Sequence, residues 1–204
     1  MPAKPKFTRE EIIEAALDIV SKQGLAALTA REVGRKMGSS ARPIFTMFKD
    51  MEELKAEVRK TAEKHLSIYM DEAKNYTSAF KQAGIQLIDY ARKEPNLYQL
   101  IFMSERRHER FEDLFIRSIA EKDSYLEFLQ EAYELSAQEA KELYEHVWIY
   151  TYGICALVSS GMCDFTSDEL IKMLGEDFKG MLMYIKSGQL NTQQEIPVPL
   201  ETVQ

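Results

Sequence analysis

Cysteine and proline are both scarce in this 204-residue sequence, which has two cysteines, Cys155 and Cys163, and six prolines, at 2, 5, 43, 95, 197 and 199. Two thiols are too few for the disulfide framework of a small secreted domain, so free thiols are expected. With proline confined to those positions, two long stretches hold no residue that removes a helical hydrogen bond. Alternating β-branched runs are missing, whereas apolar residues recur at spacings of three and four, so the predicted class is all-α. There is no phosphate-binding glycine loop, HExxH, paired CxxC or nucleophile elbow, and the three histidines, at 65, 108 and 146, match no metal spacing. Neither catalysis, nor a cofactor, nor a metal site is therefore expected.

Long hydrophobic runs are also lacking, with one exception. The seventeen uncharged residues at 147–163 reach the lower limit for crossing a bilayer. They include Thr151, Ser159, Ser160 and two glycines and have no basic flank, so a helix buried among other helices is the better reading, with no membrane association. The opening residues, MPAKPKFTREE, carry early charge and no apolar run, which speaks against a secretory signal and for a cytoplasmic location.

What is present is a soluble-type composition, 45% hydrophobic and 29% charged, with a net charge of −7 that is unevenly spread. Residues 1–49 hold basic side chains at 4, 6, 9, 22, 31, 35, 36, 42 and 49 against acids at 10, 11, 14, 18 and 32, a local balance of +4. The remaining residues are at −11. A basic module on an acidic body suits a protein of which only one end meets phosphate. Lys4 and Lys6 fit a solvated tail as well as a DNA-contacting arm.

Helix signals divide the chain. Thr8 and Glu11 form a predicted capping box, Phe7 and Ile12 a staple, and Ile12, Ala16, Ile19 and Val20 an apolar stripe, giving a helix over about 8–23 that ends at Gly24. The same design recurs at Thr29 and Glu32 for a short helix over 29–37, closed by Gly38. Ser39 and Ser40 offer caps for a third helix carrying Ile44 and Phe48, and Asp50 with Glu53 opens a long helix over 50–74. In that helix His65 steps with Met51, Leu54, Val58, Ala62 and Tyr69 and reads as a core histidine. Further helices are expected at 76–93, 95–104, 109–121, 123–134, 137–162 and 167–187, followed by a mobile tail over 188–204. The run SERRHERFED at 104–113 alternates charge sign and reads as a solvated connection. The organisation is thus a head over 1–49, a body over 50–187 with 50–74 as connecting helix, and the tail.

A short helix, a glycine turn and a second short helix, with Val33, Met37, Ile44 and Phe48 facing one another, make a helix-turn-helix. Ser40, Ala41, Arg42, Pro43 and Thr46 then lie on the outer side of the second helix, whose N-terminal end enters a major groove in such motifs. Double-stranded operator DNA is the expected partner. Here the sequence resembles the tetracycline-repressor (TetR) type of bacterial regulator. The resemblance rests on LTAREVGRKMGSSARPIFTMFKDMEEL at 28–54, with a looser likeness in HVWIYTYGICALVSSG at 146–161. It implies a three-helix DNA-binding head, a helical ligand-binding and dimerisation body, and a homodimeric repressor on a palindromic operator, released by a small-molecule effector. It also implies that Thr29 and Lys49 hold phosphate, that Arg31, the basic residue two after Thr29, belongs to the DNA-binding set, and that Ser40, Arg42 and Thr46 face the groove. Arg42 alone can make a bidentate contact to guanine. Three positions depart from the family pattern: Ala41 stands where Lys is common, Pro43 where Thr is common, and Phe45 where a Tyr hydroxyl touches phosphate.

In the body, Tyr90, Phe102, Phe115, Tyr125, Trp148 and Tyr152 are the expected lining of an effector pocket, within a wider aromatic and sulfur set that includes Phe80, Tyr98, Met103, Phe128 and Met162, all set against ordinary core packing. Leu143, Val147, Tyr150, Ile154 and Leu157 stripe one late helix, and Leu170, Leu174, Phe178, Met181 and Ile185 stripe the next. These stripes carry the expectation of a dimer interface. Two other readings stay open: a helical protein–protein interaction module whose head docks a protein without binding DNA, and a small-molecule enzyme built in the body.

Overall fold

The structure is a computed structural model that describes residues 7–71, 79–104 and 122–188, with the backbone alone at 79, 80, 122 and 123. The expected helix over 109–121, Phe115, His108, Lys4, Lys6 and the tail from 189 onward lie outside the described residues, as does the side chain of Phe80.

All regular structure among the described residues is helical. Helix α1 (Arg9–Gln23) opens on a complete capping box: Thr8 N–H donates to Glu11 Oε2 at 2.8 Å and Glu11 N–H to Thr8 Oγ1 at 3.1 Å. A 3-10 turn (Leu25–Ala27) leads to α2 (Ala30–Lys36) and α3 (Arg42–Met47). The long α4 (Met51–Asp71) buries Leu54, Val58, Ala62, Leu66 and Met70. That seam advances strictly by four residues, so His65, one position before Leu66 and about 100° round the helix, is exposed. The expected core histidine is corrected accordingly.

Beyond α4 come α5 (Ala79–Lys93), α6 (Pro95–Phe102), α7 (Lys122–Tyr133), α8 (Ala137–Ser159) and α9 (Ser167–Lys186). Pro95 stands at the first helical turn of α6, where its missing N–H costs nothing. Helix α8 stops short of the expected residue 162, because Met162 and Cys163 fold their N–H groups back onto the Leu157 carbonyl, at 3.0 and 3.3 Å. Both α8 and α9 open on capping boxes, Ser136 with Glu139 and Thr166 with Glu169.

Helix α8 runs through the middle of the body, against α5, α6, α7 and α9, and α1 packs on α4 and α6. Tyr98, Tyr144 and Trp148 are among its largest fully buried side chains. Burial of this size supplies the main folding force, at roughly 25 cal/mol per Å² of apolar surface. The head is also tied to the body by polar contacts at the α5–α6 corner. Ser21 Oγ donates to Glu94 Oε2 at 2.9 Å, and Asn96 Nδ2 donates to the Ser21 carbonyl at 2.8 Å. Among the described residues no helix is long and apolar enough to cross a membrane. The same residues contain no group of three or more His, Cys, Asp or Glu placed to hold a metal.

Candidate nucleic-acid interface and body cavity

The unit formed by α2 and α3 starts at Thr29, whose Oγ1 accepts the Glu32 N–H at 3.2 Å. The reciprocal arm of the expected capping box does not form, because Arg35, three residues along the same face, captures the Glu32 carboxylate with Nε and Nη2. The turn after α2 needs glycine twice. Gly38 has φ +61°, and a Cβ at Gly34 would sit 2.8 Å from the carbonyl carbon and oxygen of Ser40. That close approach lets Ser39 N–H reach the Gly34 carbonyl at 2.8 Å and sets where α3 begins. Ala41, not Ser39 or Ser40, takes the N-cap position of α3, and no side chain caps it. Ser40 Oγ makes only a long 3.4 Å contact with the Arg42 N–H.

One face of this unit joins the core, through Val33, Ile44 and Phe48, with Met37 half-buried. Thr29, Arg31, Ser40, Arg42, Thr46 and Lys49 are exposed on the rest of its surface, Ala41 and Pro43 are half-buried, and the Phe45 side chain is 53% exposed. The Thr46 hydroxyl donates to the Arg42 carbonyl at 3.2 Å, which leaves its lone pairs as the outward-facing function.

The basic residues of the head fall into two groups. Arg9 pairs with Glu53 at 2.8 Å, Lys22 and Lys36 with Asp18 at 2.7 and 2.5 Å, and Arg35 with Glu32. The bonds from Lys22 and then Lys36 hold the Asp18 carboxyl below the usual carboxylate range, and Arg35 does the same for Glu32. Arg31, Arg42 and Lys49, in contrast, have no ion pair among the described residues, so their charge is directed to solvent.

Arg9 links α1 to the end of α3. Its Nη1 donates to the Met47 carbonyl at 2.6 Å, its Nη2 reaches Glu53 at 2.8 Å, and its guanidinium lies 4.1 Å above the Phe48 ring. Glu53 does not close a reciprocal box with Asp50. One of its oxygens accepts the Lys49 N–H at 2.7 Å instead, and that bond followed by Arg9 holds its carboxyl below the usual range. Nothing in the spacing of Arg9 in the sequence marks it for this role.

The body contains a cavity of about 490 Å³ between α5, α7, α8 and α9. Gly84, Val147, Thr151 and Leu174 form its buried floor. Phe128, Tyr133 and Phe178 make an aromatic wall, with Tyr133 ring centroids 6.3 Å from Phe128 and 5.2 Å from Phe178. Lys81, Lys172, Lys179 and Glu176 stand at its edge.

Of the described aromatic residues considered for a pocket, Phe128 lines this cavity and the others do not. Tyr90, Tyr125 and Trp148 are buried in the core, and Phe102 and Tyr152 are half-buried against it. Their rings meet in tilted contacts, with Phe102 5.3 Å from Tyr152 and Trp148 6.0 Å from Tyr152. Trp148 and Tyr152 follow Val147 and Thr151 by one residue each, so they point about 100° away from the cavity floor. Burial also raises the Cys155 thiol to about 12, so it stays protonated within this core.

The two stripes expected at a dimer interface are placed differently from one another. Leu143, Val147, Ile154, Leu170 and Leu174 are buried inside the single chain, because α8 is covered on several sides and α9 lies against it. Tyr150, Phe178 and Met181 are half-buried. The exposed large apolar side chains of these helices are Leu157, from the first stripe, and Ile149, Ile171, Met183 and Tyr184, from neither, with Gly153 and Gly180 also exposed.

Residues 12–58 match the family model described as bacterial regulatory proteins, tetR family. A TetR-like transcriptional regulator from Rhodococcus sp. RHA1 superimposes with a TM-score of 0.59 at 13% identity, covering 90% of this chain and 100% of that one. A Vibrio parahaemolyticus protein assigned to the TetR family of transcriptional regulators gives 0.56 at 16% identity, covering 84% and 97%. The fold is TetR-like. No curated protein sequence matches the chain. The TetR_N match ends inside α4, so it takes in the whole α2–α3 unit and the Arg9-bound start of the connecting helix. Within this TetR-like head Ala41, Pro43 and Phe45 give the face around Arg42 an apolar character, with no phenol hydroxyl at 45.

Proposed function

We propose that this chain is a DNA-binding transcriptional regulator, a homodimeric repressor of a palindromic operator that a small-molecule effector releases. One observation carries the reading: Arg31, Arg42 and Lys49, the cations of the α2–α3 unit without an ion pair among the described residues, share its exposed surface with Thr29, Ser40 and Thr46. In this reading Thr29, Arg31 and Lys49 hold phosphate and position the protein, while Ser40, Arg42 and Thr46 read base edges. Ala41, Pro43 and Phe45 offer carbon to thymine methyls. A second copy docks on the outward face around Ile149, Met183 and Tyr184, joined at its margin by the half-buried Tyr150 and Met181, and the two α3 helices enter successive major grooves about 34–36 Å apart.

The effector enters the cavity of the body. Its signal reaches the head through α6 as well as α4. Gln99 on α6 donates to the Ser159 carbonyl of α8 at 2.7 Å, Arg59 on α4 reaches Ser104 at 2.6 Å, and the α5–α6 corner holds Ser21 of α1. A shift of α8 therefore tilts α1 and α4 together, and with them the recognition helices.

Selection of bound fragments from random duplex DNA tests the proposal. A two-fold symmetric consensus with half-sites one turn apart is expected. A failure to enrich any sequence at low salt, with a stable protein complex recovered instead, would replace it with the protein-docking module.

A further inference from the structure

The cavity has an apolar floor and a cationic rim, and we infer that it takes an amphipathic anion, a molecule with an apolar chain or ring system ending in one carboxylate or sulfonate. The inference rests on the reading of this cavity as the effector site. Among the described residues three lysines, Lys81, Lys172 and Lys179, border it with one carboxylate, Glu176, although residues 50–204 as a whole are at −11. Glu176 lies 3.9 Å from Lys172, which leaves Lys81 and Lys179 without an ion pair among the described residues. A cationic ligand would meet like charge at this rim. A neutral one would use none of it.

The floor fixes which end goes in. Val147, Leu174 and Gly84 are buried and apolar, and the one hydroxyl among the described floor residues, on Thr151, donates its proton to the Val147 carbonyl at 2.7 Å. An anionic group at the floor would thus find no side-chain donor among the described residues and would lose its hydration uncompensated. At the rim it meets ammonium groups that remain in water. The apolar part lies inward along Phe128, Tyr133 and Phe178, and the volume falls within the range of small-molecule sites.

The test uses the full chain and a matched pair of fluorescent probes, anilinonaphthalene sulfonate and phenylnaphthylamine, which share a ring system and differ by the sulfonate. The sulfonate is expected to bind more tightly, and dodecanoate to displace it where dodecanol at the same concentration does not. The double variant Lys81→Gln/Lys179→Gln should raise its Kd about tenfold, the worth of two partly screened ion pairs, and Lys81→Arg/Lys179→Arg should restore it. Gly175 lines the cavity, and a Cβ there meets nothing within 4 Å, so Gly175→Leu can branch from this wall and, by adding bulk to it, should weaken both probes. Equal binding of the two probes, or sulfonate binding unmoved by both the Gln pair and Gly175→Leu in proteins with native circular dichroism, would overturn the inference. Anion binding that depends on these residues yet leaves DNA affinity unchanged would refute the regulatory reading and leave the ligand class standing.

Discussion

Gly34 and Ser40 approach so closely that a Cβ on residue 34 would lie 2.8 Å from the Ser40 carbonyl carbon and oxygen. The contact is with backbone, which cannot swing aside as a side chain can. The angle between α2 and α3, and therefore the presentation of Arg42, depends on a missing methyl group.

Gly34→Ala should consequently destabilise the head by about 1–3 kcal/mol, the usual cost of overpacking, and weaken DNA binding with no change at the DNA-facing residues. Chemical denaturation and a DNA titration of the variant check both effects. An alanine accepted without loss would mean that the turn has slack.

Acidification should loosen the same region. Glu53 is held below its ordinary value by the Lys49 N–H and by Arg9. Its contribution is complete above the ordinary glutamate value and is lost as pH falls through the lower folded value. Asp18, Glu32, Glu139 and Glu169 shift in the same direction, against Asp177, which burial raises, so the larger number of lowered carboxyls should make stability decline on acidification. Glu53→Gln should give a shallower decline, measured as denaturation midpoints from neutral to acidic pH.

Arg42 and Lys49 should fail differently. Arg42→Ala is expected to cost about 1–3 kcal/mol on the selected site and to relax preference at one base pair. Lys49→Ala should weaken all duplexes alike and reduce the slope of log affinity against log salt by about 1. Titrations at several salt concentrations, on selected and scrambled duplexes, separate the two.

His65, exposed on α4, should be replaceable. His65→Ala is expected to change stability by less than about 0.5 kcal/mol, as for other open surface positions. A thermal melt is sufficient.

Local signals were the legible ones. The box at Thr8 and Glu11 closes within four residues, and the same signature at Ser136 and Thr166 could have been read in the same way. At Thr29 the signature was half right, because Arg35 competes for the carboxylate and a pattern of two residues does not weigh a third. His65 was misplaced because steps of three and four mixed in one stripe, while the packed seam advances by four. The cavity was hardly legible, with Phe128 alone of its aromatic wall among the candidates. Aromatic residues such as Trp148 and Tyr152 drew the prediction, yet the floor is built by their neighbours Val147 and Thr151, and only the arrangement of α5, α7 and α9 around α8 decides between the two sets. The dimer stripes divide for a related reason, with Leu157 exposed and Tyr150, Phe178 and Met181 half-buried. Periodicity finds an apolar face, and Leu143 and Ile154 show that the face meets the chain's own core before any partner.

The central claim is that duplex DNA lies on the open side of α2 and α3. Hydrogen exchange of the full chain with and without its selected duplex measures this directly. The account predicts slowed exchange over residues 29–31 and 40–49, with the outward face of α9 unchanged by DNA at constant oligomeric state. Protection confined to the body, with those two segments exchanging as in the free protein, would contradict it.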